Sequence, residues 1–185
     1  YWVVDSDGSL VEPGDLVDAS PGVEREFVEP LIEIKTTPCE STAELREELF
    51  ERVGRVLDRA QRVDKRLVPL STPVNCGGIA DRPRDRTRIQ RRISGEDVEY
   101  GRHGAGTHSH VEQQPGMAVE QLNAVVALDP ARALVNSSSH FNGRHRADGA
   151  RSKLYRWLAY DDLPHQGRLW PYVDDTEEWT RRLER

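Results

Sequence analysis

Three carboxylates crowd one short apolar stretch of the chain. Glu26, Glu29 and Glu33 lie in Glu26-Phe27-Val28-Glu29-Pro30-Leu31-Ile32-Glu33-Ile34-Lys35-Thr36. Alternation along a strand puts positions two or four apart on one face. Glu29 and Glu33 therefore point together if Pro30 keeps the register. Glu26 and Glu33 face oppositely in a regular strand, and one bulge between them restores a common face. Carboxylates on one face repel, and Mg²⁺, which prefers carboxylate and water oxygens, relieves that repulsion. The competing reading is an edge strand with a solvated outer face.

A second group is Gly106-Thr107-His108-Ser109-His110-Val111-Glu112. His108, His110 and Glu112 alternate along an expected strand, so all three project from one face. Imidazoles beside a carboxylate suit a metal or phosphate site, and a polar exposed strand face is the other reading. The run Arg82, Arg84, Arg86, Arg88, Arg91, Arg92 offers planar guanidinium forks for phosphate or carboxylate. Most of these arginines read as a solvated helix face, with one or two left for function. The loop from Ser137 to Arg144 is rich in small donors and could line a pocket or merely connect two helices. His140, His145 and His165 have no partner at fixed spacing and read as surface residues.

The elements that must position these groups follow from periodicity. Residues 1–5 and 25–36 read as strands, with Pro30 implying an edge or bulge. Ser41 to Glu44 is a capping box, and Leu45, Leu49, Val53, Val56, Leu57 and Ala60 follow at helical spacing over 41–63. A short strand spans 66–70, an Arg-rich helix lies within 83–100, and a polar strand spans 104–112. A helix over 116–128 is expected to stop near Pro130, with a second over 131–138. A polar loop covers 139–150, a short helix 151–160, and a charged helical run ends the chain. Strands and helices do not alternate as βαβ. The pattern predicts an α+β fold with a mainly antiparallel sheet and helices packed on one side.

Composition narrows the function classes. The chain has 185 residues and a net charge of −6, and its three lysines, at 35, 65 and 153, stand against 23 arginines. Net acidity argues against nucleic acid or a membrane surface as partner. An acidic, Lys-poor chain is compatible with a salt-adapted cytoplasmic protein. Cys39 and Cys76 have no zinc-ligand spacing. No apolar run approaches the roughly 20 residues of a bilayer span.

Several segments occur in a telling order: Arg25-Glu26-Phe27 with Leu31-Ile32-Glu33-Ile34-Lys35-Thr36, then Pro38-Cys39-Glu40 before Ala43-Glu44-Leu45-Arg46, Pro69-Leu70-Ser71-Thr72-Pro73, Gly106-Thr107-His108-Ser109-His110, and Ser137 to Arg156. Together they resemble the bacterial-type glutamate–cysteine ligase superfamily, which is related to glutamine synthetase. The resemblance implies a saddle of antiparallel strands holding Mg²⁺ and the phosphates of ATP. It implies Glu26, Glu33 and His108 as metal ligands, His110 as a cofactor contact, and Arg91 or Arg92 as catalytic cations, with Glu29 a weaker candidate. The implied substrates are glutamate and cysteine, and a homo-oligomer is compatible with it. The Gly-x-Glu-x-Glu strand of the family is expected before Tyr1, and a C-terminal half after Arg185. Residues 1–185 are then the N-terminal half of a ligase catalytic domain, expected to be inactive alone. Another amine acceptor, or a metal-binding fragment without turnover, is the alternative. A metal-dependent hydrolase also opens with His-x-His, but its barrel needs about 250 residues and regular β/α alternation.

Overall fold

A computed structural model of the chain describes residues 1–73, 78–135, 138–160, 163 and 167–184. The protein is α+β, with helices and short antiparallel strand pairs. β1 (Trp2–Val4) pairs with β4 (Arg66–Val68), and β2 (Val23–Arg25) pairs with β3 (Ile32–Ile34). Val3 N–H donates to Pro30 O and Ile32 N–H to Tyr1 O, and Trp2 is bridged to Leu31. These bonds set the two pairs edge to edge.

Residues 25–36 are thus a hairpin and not the single strand expected. Pro30 has no N–H to give to a ladder, and the chain turns there. Leu31 N–H returns to Val28 O and Glu26 N–H to Leu31 O, closing the turn.

The alternation of β1 splits the core in two. Val3 faces one side, where it packs with Leu16, Val23, Ile32, Val56 and Ala60. Trp2 faces the other, with Val28 and Leu31, against partly buried Ile79 and Ala105. Helix α1 (Thr42–Arg62) covers the first side. Ser41 Oγ accepts the Glu44 N–H at 3.1 Å, and the Glu44 carboxylate accepts from Glu40, so the expected cap forms. Only the last turns of α1 are buried, through Val56 and Ala60. Leu45 and Leu57 are exposed, because strands of three residues are too short to cover the whole expected face.

Helix α2 (Asp85–Ser94) is the Arg-rich helix, and Gly95, at φ 68°, ends it. A 3₁₀ turn over Glu96–Val98 leads into the single turn α3 (Glu99–Arg102). The strand expected over 104–112 is absent. That segment is irregular and mostly exposed, and among the described residues no strand pairs with it to satisfy an extended backbone. Helix α4 (Ala118–Val135) runs through Pro130 and replaces the two helices expected. Ala124 and Leu128 before the proline, and Ala131, Ala133 and Leu134 after it, are strong helix formers that offset the single lost bond. Within the expected polar loop, β5 (His140–Phe141) and β6 (Arg144–His145) form a hairpin on Asn142-Gly143, both at positive φ. Helix α5 (Ala150–Lys153) continues as a π-helical turn over Leu154–Leu158, and α6 (Thr176–Leu183) is capped by Asp175. No helix among the described residues is long and apolar enough to cross a membrane.

Candidate functional site

The register of the β2–β3 hairpin settles which carboxylates meet. Glu24 is opposite Glu33, and Arg25 is opposite Ile32. Ile32 and Val23 point at α1, so Glu24, Glu26 and Glu33 project from the other face, the one that carries Trp2 and Leu31. Glu33 pairs with Glu24, and Glu26, two residues on from Glu24 and bonded through its N–H to Leu31 O, falls on the same face by alternation, with no bulge. Glu26 and Glu33 both lie within electrostatic range of the Tyr1 backbone nitrogen. Glu24 is held by Lys35 at 2.5 Å. Glu29 does not join them. It sits in the turn, its N–H donating to Ala80 O at 2.9 Å.

Beside this face lies a charged cluster that the sequence did not announce. The turn of the hairpin is bonded to residues 80–82: Val28 is bridged to Asp81, and Arg82 N–H donates to Phe27 O. Asp81 accepts a two-pronged contact from the buried Arg102, Nη2 at 2.5 Å and Nε at 3.3 Å. Arg91 Nη2 reaches the same carboxylate at 3.1 Å, and His103 Nε2 lies 3.6 Å away. His103 is buried, its ring stacked near Phe141. Burial pushes the His103 imidazole below the ordinary histidine value, while Asp81 opposes the shift. The imidazole is therefore neutral at pH 7, and the cluster is carried by Asp81 and the arginines.

The rest of the Arg-rich stretch mostly fastens the fold. Arg82 bridges Glu12 at 2.7 Å and the Glu29 carbonyl, Arg84 donates to Arg25 O, and Arg86 lies over the Phe27 ring at 4.9 Å. Arg88 pairs with Asp85 on the helix surface. Of the two arginines singled out for chemistry, Arg91 joins Asp81, whereas Arg92 is exposed on α2. His108 and His110 are exposed on the irregular 105–114 segment, ring centres 6.4 Å apart, and the common face with Glu112 does not form. Ser137 and His165 lie outside the described residues, as does Cys76.

Among the described residues, no group of three or more His, Cys, Asp or Glu side chains is arranged to hold a metal ion. Mg²⁺ does not demand one: it commonly keeps several waters and takes one or two carboxylates plus substrate phosphates. Glu26 and Glu33, both partly buried on one face, fit that donor set in type and number.

No protein family, curated protein or solved structure matches the chain.

Proposed function

We propose that this chain is part of an ATP-dependent carboxylate–amine ligase that joins the side-chain carboxylate of glutamate to the amine of cysteine. The observation that carries the reading is the hairpin register. It turns Glu26 and Glu33 to the sheet face that also meets the segments bearing Asp81, Arg102 and His103. Carboxylates for a cation and guanidiniums for anions on one side of a sheet are what phosphoryl transfer to a carboxylate requires. The ordered motifs of the sequence support the same class.

In this reaction a glutamate carboxylate oxygen attacks the γ-phosphorus of ATP, and ADP leaves. The cysteine amine then attacks the acyl phosphate, losing a proton, and inorganic phosphate leaves. Glu26 and Glu33 would hold Mg²⁺, which neutralises charge on the transferring phosphoryl group. Arg91, which pairs with Asp81 and Glu96 and is partly exposed, would meet an anion in this reaction; His108 and His110, on the exposed 105–114 segment, would be further contacts.

The test is formation of γ-glutamylcysteine and phosphate by the full-length protein with ATP, Mg²⁺, glutamate and cysteine. Glu33→Gln, which keeps size and hydrogen-bonding atoms, should cut turnover roughly a hundredfold or more with the fold intact. Full activity in that variant removes the acidic face from the mechanism. Turnover with other amines but not cysteine moves the assignment within the ligase class. Mg²⁺ binding without turnover favours a metal-binding role.

A further inference from the structure

Buried polar atoms without partners gather around the loop that follows α3. Arg102 Nη1, His103 Nδ1, Ser71 Oγ and Arg151 Nη1 are buried atoms with no hydrogen-bond partner among the described residues. They belong to one neighbourhood. Arg102 and His103 directly precede Gly104, and Ala105 N–H donates to Ser71 O at 2.7 Å. The Arg151 side chain lies across Gly104, where an added Cβ would come within 2.8 Å of its Nε. Its Nη2 reaches toward Gly106, beside His108. Ser71, Arg102 and His103 are more than nine-tenths buried.

Their charges do not balance. Asp81 is shared between Arg102 and Arg91, and among the described residues no carboxylate lies within ion-pair distance of Arg151. Burial pushes the Arg151 guanidinium down from its usual value, yet a guanidinium stays protonated in proteins. Arg151 is half-buried and its guanidinium lies over the Tyr155 ring at 5.1 Å, but its Nη1 has no hydrogen-bond acceptor among the described residues, and a buried N–H left without one is costly. Gly104 has no side chain where Arg151 crosses it, and Arg151 Nη2 and His108 Nε2 come together beside Gly106, which is exposed.

We propose that Arg151 and Arg102, with Ser71, bind a small oxyanion, either a phosphate group or a carboxylate. The planar forks of two arginines and one hydroxyl match the several acceptor oxygens of such a group. The site is argued from its donors alone. If the ligase reading also holds, the oxyanion belongs to ATP or to an amino-acid substrate.

The experiment is titration of the full-length protein, followed by calorimetry and thermal melting, with inorganic phosphate in one arm and glutamate in another. Chloride at equal ionic strength is the control. Saturable binding in the phosphate arm alone assigns a phosphate group, and in the glutamate arm alone a carboxylate. Arg151→Gln should weaken binding roughly tenfold or more, the loss of a charge-assisted pair. Gly104→Ala should weaken it too while every charge remains, because the new methyl displaces the Arg151 side chain. Arg132→Gln, on the exposed surface of α4, should bind as the unaltered protein does. Circular dichroism on each variant separates lost binding from lost fold. No saturable binding in either arm overturns the proposal, and so does equal affinity in a folded Arg151→Gln variant. Oxyanion binding without ligation leaves this site standing and removes the ligase. Ligation with unaltered affinity in Arg151→Gln does the reverse.

Discussion

Replacing Asp81 by Asn should be the most damaging conservative change in this protein. The substitution keeps shape and one acceptor but removes the charge that holds Arg102, whose side chain is only 3% exposed, while Asp81 itself is 11% exposed. Arg102 Nη1 already lacks a partner, so the guanidinium has no second acceptor to turn to. Arg91 is half exposed and can turn to water or to Glu96, 3.5 Å away, so its share of the loss is small. Breaking a buried pair from one side typically costs about 3–5 kcal/mol, because the surviving charge stays desolvated. For a chain of this size each kcal/mol lowers the melting temperature by about 2–4 °C, so a drop of roughly 6–20 °C is expected. The assay is chemical and thermal denaturation at pH 7, read by circular dichroism. Asp81→Asn combined with Arg102→Gln should cost less than Asp81→Asn alone, since the double change leaves no buried charge behind. A shift below about 2 °C in Asp81→Asn, or a double variant worse than the single, would refute the reasoning.

Three further outcomes are expected. His103 has its folded pKa below its ordinary value, so the unfolded chain binds the extra proton first; stability should be full above the ordinary value of 6.5 and fall as the pH drops below it, and His103→Gln should flatten that part of a stability-versus-pH curve. Val56→Ala, at a fully buried position between Val3 and Ile32, should cost about 2 kcal/mol in urea denaturation, with no change in ligand binding. Ser41→Ala should cost about 1 kcal/mol by removing the acceptor of the Glu44 N–H, and Ser41→Asp should restore most of it.

The sequence determined what local rules govern. The α+β class, the capped start of α1, the Arg-rich helix within 83–100 and the final charged helix all follow from residues within a few positions of one another. Caps and helical periodicity are short-range, so they can be read along the chain. The acidic stretch was also legible as a place for chemistry, although its shape was not. Whether Glu26, Glu29 and Glu33 share a face depends on where the chain turns and on which residue pairs with which. The Glu24–Glu33 register selects Glu26 over Glu29.

The tertiary structure alone decided the rest. His108, His110 and Glu112 alternate correctly, but alternation makes a strand only when a neighbour supplies hydrogen bonds, and no strand among the described residues pairs with them. Pro130 signals a break, yet the helix formers on both sides carry α4 through it. The Asp81–Arg102–His103–Arg91 cluster and Arg151, whose Nη1 lacks an acceptor among the described residues, come from separate elements. No period or motif links them, because what brings Asp81, Arg102, Arg91 and His103 together is charge pairing and burial that only the folded chain creates. Residue types show which groups could do chemistry, and packing decides which of them meet.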